Sequence, residues 1–225
     1  MFITRSELAA LIDHTLLRPD AVTGDIIRLC AEAKLYGFSS VCVNPCHVFT
    51  ASKELADSPV KVCSVVGFPL GASTPAIKAL EAAEAVRNGA NELDVVINLG
   101  FLKNGQSGLV KSDLAGVVTS ARRENPGTII KVILETCLLT DNEKIMACRL
   151  AIEAGADFVK TSTGWGKGGA TMRDVALLKQ AAGNSAGVKA SGGIRDLATA
   201  LNMLAAGAER IGASSGPAII NEMKE

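Results

Sequence analysis

Gly155-Ala156-Asp157-Phe158-Val159-Lys160 joins the end of a helical stretch to a short strand, and the chain makes the same kind of junction at Gly89-Ala90-Asn91-Glu92 and Gly207-Ala208-Glu209-Arg210. Glycine takes the left-handed conformation that ends a helix, so each junction reads as a helix stop followed directly by a strand. One structural unit is being reused. Outward from these points, short β-branched runs alternate with stretches of helical period along the whole chain. Strands are expected near 12–16, 40–43, 60–66, 92–97, 129–134, 157–160, 187–190 and 210–212, and no successive pair is joined by a two-residue hairpin turn.

The intervening helices carry their own signals. Val110, Leu114, Val117, Val118 and Ala121 form one apolar stripe on a helix that is otherwise largely polar. Thr140 and Glu143 have capping-box spacing, and Thr74 before Pro75 marks another helix start. With 225 residues, 48% of them apolar and only 4% aromatic, the chain suits a parallel sheet covered on both faces by helices. The expected fold is α/β, a (β/α)8 TIM barrel forming a single domain over residues 1–225. An open doubly wound sheet is the rival, but no G-x-G-x-x-G follows the first strand and eight units in so short a chain favour closure.

Charge narrows the range of partners. Lysine plus arginine and aspartate plus glutamate each number 23, so no net field exists to hold a polyanion or an acidic membrane. Neither nucleic acid nor a membrane is expected as a partner. The six cysteines lack a C-x-x-C pair and read as reduced thiols. No leader pattern and no membrane span is apparent, so a cytoplasmic location is expected. Barrels of this size often associate, which leaves a homo-oligomer, dimer or tetramer, open.

In a barrel of this kind the chemistry sits at the C-terminal ends of the strands. There the sixth strand ends in Lys160, and the seventh, Val188-Lys189-Ala190, is expected to bring a second lysine to the mouth. An ammonium taken out of water must be paired or lose its proton, and two facing each other disfavour charging further. A lysine of ordinary pKa, about 10.4, is neutral in only about one molecule in a few thousand at pH 7, whereas a value of roughly 7 to 8 supplies a useful nucleophile. Each lysine could equally pair with a carboxylate or point to the rim. Asp94, flanked by apolar residues in the fourth strand, wants a charged partner and could balance the lysines and relay protons, or form a structural salt bridge.

Ser191-Gly192-Gly193-Ile194 and Ala213-Ser214-Ser215-Gly216 follow the seventh and eighth strands, the usual phosphate site of such barrels; a plain tight turn is the alternative. His14 and His47 are too few and too far apart for a zinc triad, and no metal or cofactor is expected. Cys42 could face the site or fill the core. Glu135 could bind a lysine or cap a loop.

The segments Leu11–Leu17, Glu92–Val96, Lys131–Thr136, Phe158–Gly164, Val188–Gly193 and Ile211–Ser215, in that order, closely resemble the deoxyribose-phosphate aldolase family over essentially the whole chain. The resemblance implies a class I aldolase that reversibly cleaves a small phosphorylated sugar, 2-deoxy-D-ribose 5-phosphate, to acetaldehyde and D-glyceraldehyde 3-phosphate in deoxyribose phosphate catabolism. It implies Lys160 as the Schiff-base lysine, Lys189 and Asp94 as the proton-transfer pair, and Gly192, Gly193, Ser214, Ser215 and Thr161 at the substrate and its phosphate. Trp165, where the family often has a smaller aromatic, and Lys167 depart from the pattern and bear on loop shape. Another phosphosugar barrel enzyme or a non-catalytic sugar-phosphate sensor would share the pocket; release of free acetaldehyde and imine formation separate them.

Overall fold

The strands Ile12–Leu16 (β1), Ser40–Val43 (β2), Lys61–Val66 (β3), Glu92–Val96 (β4), Ile129–Ile133 (β5), Phe158–Lys160 (β6), Gly187–Ser191 (β7) and Arg210–Ala213 (β8) pair in parallel and in sequence order, and β8 closes on β1. The closed (β/α)8 barrel is the architecture expected, and each strand end lies within one residue of its expected place. The computed structural model describes residues 3–223. Helices Arg5–Ala9 (α1), Thr23–Tyr36 (α2), Val48–Glu54 (α3), Pro75–Arg87 (α4), Leu99–Lys103 (α5), Ser107–Glu124 (α6), Asp141–Glu153 (α7), Met172–Ala182 (α8), Leu197–Ala205 (α9) and Gly216–Asn221 (α10) complete the chain. No helix among the described residues is long and apolar enough to cross a membrane.

The three repeated junctions share one geometry. Gly89, Gly155 and Gly207 have φ of 108°, 97° and 109°. The next residue's N–H in each case reaches back five positions, Ala90 to Ala85, Ala156 to Ala151 and Ala208 to Met203, each at 3.0 Å. This closes the last helical turn and turns the chain straight into a strand. The capping box at the start of α7 forms as its spacing requires, with the Thr140 N–H donating to Glu143 at 2.7 Å. The α6 stripe from Val110 to Ala121 is buried.

Strand alternation divides the residues between two environments. Val41, Val43, Val62, Leu93, Val95, Ile130, Val132, Val159, Val188 and Ile211 belong to the apolar layer beneath the helices. The alternate positions in β4, β5, β7 and β8 are Glu92, Asp94, Lys131, Lys189 and Arg210, all buried. Barrel interiors of this fold are usually filled by branched aliphatic side chains. Here charge occupies that place, and a buried charge is tolerated only when paired and hydrogen-bonded.

Candidate active site

Asp94 is the hub of the barrel interior. One carboxylate oxygen, Oδ2, accepts from Lys160 Nζ at 2.6 Å and from Lys189 Nζ at 2.7 Å. The other, Oδ1, accepts from Lys131 Nζ at 2.9 Å and from the Cys63 thiol at 3.3 Å. Lys189 also reaches Asp13 Oδ2 at 2.5 Å, and Lys131 reaches Glu92 Oε2 at 2.7 Å. Arg210 closes the network below, with one guanidinium nitrogen 2.8 Å from Asp13 Oδ1 and the other 2.9 Å from Glu92 Oε1. The pairing of each lysine with a carboxylate, left open by the sequence, is what the structure contains, and one carboxylate serves three lysines.

Asp94 ionises easily here. Burial resists the charge, but Lys131, Lys160 and Lys189 outweigh it and hold the carboxyl well below the usual range. Asp13 follows the same logic: burial raises it, Lys189, Lys131 and Arg210 lower it more, and it settles at about 2. For Lys131 and Lys189 burial opposes the ammonium, yet the facing carboxylates, Asp94 first for Lys131 and Asp13 first for Lys189, raise both above the ordinary lysine value. Lys189 is therefore an ammonium at neutral pH. A carboxyl lower in the folded than the unfolded state stabilises the fold above its unfolded value and loses that contribution as pH falls. For Asp13 the loss should run from about pH 4 down to about pH 2, the unfolding midpoint in urea falling across that window; a midpoint constant from pH 4 to pH 2 would contradict the paired state.

At the C-terminal ends of the strands the network borders a cavity of about 380 Å³. Of the four enclosed cations, Lys160 alone lines it. Lys189 does not reach the mouth as expected. It stands mid-strand in β7, its side chain fully buried and turned to Asp13 and Asp94. Gly212 makes room for it, because a Cβ there would lie 3.1 Å from Lys189 Cε and 2.9 Å from Ser191 Cβ.

Gly192, Gly193 and Ser214 line the same cavity, facing Leu17 and Trp165. Gly192 and Gly193 have φ of 90° and 81°, a backbone that favours glycine. Ser215 stands at the start of α10, beside that wall. Thr161 is not brought to the cavity: it is fully buried, and its hydroxyl donates to the Ser191 carbonyl and accepts from the Ser191 N–H, both at 3.1 Å. It ties β6 to β7. Arg18 and Arg195 also line the cavity, and Arg195 is exposed there. Trp165 is an exposed aromatic at its edge and Lys167 is exposed nearby.

The remaining candidates resolve into supporting roles. Glu135 has a φ of 54° and accepts from the Thr163 N–H at 3.2 Å and from the Thr163 hydroxyl, so it caps the loop after β6 and binds no lysine. His14 points away from the interior, its Nε2 2.7 Å from Glu32. Cys42 lies opposite Cys63 in the β2–β3 register, within a small apolar cluster that includes Leu17 and Val65. Cys42, Cys63 and Asp94 bring potential metal-ligating atoms within 4.8 Å of one another, but the ammonium groups on Asp94 repel a cation there. Asp13, Glu92, Lys131 and Arg210 are network members that the sequence reading did not single out. Their signal is a charged residue at an alternate, inward position of an apolar strand, the same signal that marked Asp94.

A parallel barrel with an ion network under a rim cavity, and one lysine opening from the first into the second, is the layout of a barrel enzyme. Residues 8–222 match the DeoC/LacD family of aldolases. A deoxyribose-phosphate aldolase of Carboxydothermus hydrogenoformans is 56% identical over 218 residues, 97% of this chain and 96% of its own. One of Geobacillus sp. is 54% identical over 215 residues, covering 96% and 95%. The solved structure described as the unique tetrameric structure of deoxyribose phosphate aldolase from Aeropyrum pernix matches with a TM-score of 0.91 at 37% identity, over 97% of this chain and 91% of that one. The chain belongs to the DeoC/LacD family of aldolases, and it is a lyase.

Proposed function

We propose that the protein is a Schiff-base aldolase cleaving 2-deoxy-D-ribose 5-phosphate to D-glyceraldehyde 3-phosphate and acetaldehyde, with Lys160 as the nucleophile. The observation that carries this reading is the placement of Lys160, the single enclosed cation on the cavity wall, on a carboxylate oxygen it shares with Lys189. Relatives more than half identical bear the name of that activity.

In this mechanism the uncharged Lys160 amine attacks the sugar aldehyde carbon, and the carbinolamine loses its hydroxyl as water to give an iminium. Lys189 supplies the proton for that departure from its ammonium. The hydroxyl at C3 then gives up its proton through water to the Asp94 and Lys189 pair, the C2–C3 bond breaks, and its electron pair passes into the iminium to form an enamine. Protonation of the enamine carbon and hydrolysis release acetaldehyde and restore the amine. Gly192, Gly193, Ser214 and Ser215, with Arg195 beside them, hold the phosphate at the rim and so fix the distance of the reacting carbons from Lys160. Thr161 contributes by tying the end of β6 to β7. The protein would work as a homo-oligomer, as the tetrameric relative does.

The test is borohydride reduction in the presence of acetaldehyde, followed by intact-mass measurement and peptide mapping. One reduced adduct per chain, mapped to Lys160, with free acetaldehyde released from the sugar phosphate, is expected; an adduct on another lysine, or none with turnover intact, overturns the reading. Ser214→Asp sets a carboxylate against the phosphate and should raise KM for the phosphorylated sugar by about tenfold or more while leaving acetaldehyde trapping at parental rate. Equal losses in both assays would remove Ser214 from the phosphate site.

A further inference from the structure

Among the described residues, four cations, Lys131, Lys160, Lys189 and Arg210, face three carboxylates, Asp13, Glu92 and Asp94, inside the barrel, together with two thiols, Cys42 and Cys63. Each strand contributes to this set, from Asp13 on β1, Cys42 on β2 and Cys63 on β3 to Arg210 on β8. With all four cations and all three carboxylates ionised, the enclosure holds one positive charge in excess. The contacts are shared unequally among the four cations. Lys131 touches Asp13, Glu92 and Asp94, Lys189 touches Asp13 and Asp94, and Arg210 touches Asp13 and Glu92. Lys160 touches Asp94 alone and opens to the cavity, and a guanidinium does not deprotonate in proteins. Lys160 has the fewest carboxylate partners of the four.

Glu92 and Arg210 lie at the opposite end of this network. They are absent from the wall of the cavity that Lys160 lines, and instead border a separate one of about 670 Å³ at the other end of the barrel. They cannot touch a substrate seated on Lys160. They are nonetheless linked to it by unbroken contacts, Glu92 through Lys131 and Asp94, and Arg210 through Asp13, Lys189 and Asp94. We propose that Glu92 and Arg210 are positioning residues for the reaction, setting from the far end of the barrel the charge count that decides above which pH Lys160 is free to attack. The inference rests on the Schiff-base reading and adds to it two residues that act without contact.

The two residues carry opposite charges, so their removal must act in opposite directions. Glu92→Gln takes out a negative charge, disfavours the remaining cations and frees Lys160 at lower pH; Arg210→Gln does the reverse. At an effective dielectric near 20 a unit charge roughly 10 Å away displaces a titration by about one pH unit. The experiment measures the rate of borohydride trapping with acetaldehyde against pH, in a Cys42→Ala background so that this thiol cannot supply the charge. Expected midpoints move down by about one unit in Glu92→Gln, up by about one unit in Arg210→Gln, and return to within about 0.3 of the parent in the double variant. Midpoints that stay fixed, or move together, overturn the proposal, because lost packing alone has no sign. Arg210→Lys keeps the charge while breaking the two-pronged contact and should trap at the parental midpoint; a shift of a full unit there would also overturn it. Trapping at Lys160 with immobile midpoints defeats this inference only, whereas absence of any Lys160 adduct in the parent defeats the Schiff-base reading itself.

Discussion

Lys160→Ala should lower kcat/KM for the sugar phosphate by about four orders of magnitude or more, equivalent to roughly 5 kcal/mol or more of barrier, and abolish reduced acetaldehyde adducts. Neither of the other lysines in the barrel network can take its place, since Lys131 and Lys189 are fully buried and point at carboxylates. The fold should survive, because Asp94 keeps both other lysines as partners and the substitution removes the excess cation. A melting temperature near that of the parent, with activity gone, is the expected combination. Residual trapping at full stoichiometry would show that the nucleophile lies elsewhere.

Asp94→Asn should damage stability and activity together. The side chain keeps its shape but presents an uncharged group, half of it an N–H donor, to three lysines, of which Lys131 keeps Asp13 and Glu92, Lys189 keeps Asp13, and Lys160 keeps no carboxylate. Breaking a buried ion pair by removing one partner costs about 3–5 kcal/mol. The urea midpoint should fall accordingly, and whatever protein remains folded should lose proton transfer at the enamine. Retained stability alongside lost turnover would assign Asp94 to chemistry alone, and the reverse would assign it to architecture alone.

The sequence placed the strands because helix stops and strand starts are local events. Gly155 ends a helix by its own backbone conformation, and the β-branched run that follows has few alternatives. Lys160 and Asp94 were legible for a related reason, as charges embedded in apolar strands. What the chain could not reveal locally was which of those strands face one another across the barrel. Asp13 and Lys189 are 2.5 Å apart only because β8 closes on β1 and brings β7 within reach. Lys131 sits in Ile130-Lys131-Val132 in the same alternation as Val188-Lys189-Ala190, so the same rule applied to every strand would have marked it, and Glu92 and Arg210 with it. The orientation of Thr161 was not legible for a different reason. Its segment borders the cavity, but hydrogen bonding to Ser191 decides where its hydroxyl points, and no motif encodes that partner.

The cavity that ends on Lys160 has a floor made of ions, and that floor dictates traffic. On the Schiff-base reading, a fragment bonded to the lysine would lie deepest, beneath the part of the sugar that carries its phosphate at the rim. On that reading, the three-carbon fragment would stand between its two-carbon sibling and solvent after bond cleavage, so departure would be ordered by position: the phosphorylated aldehyde first, acetaldehyde afterwards. Synthesis in the opposite direction would then load in the mirror order, with the smaller aldehyde entering before the larger one shuts it in.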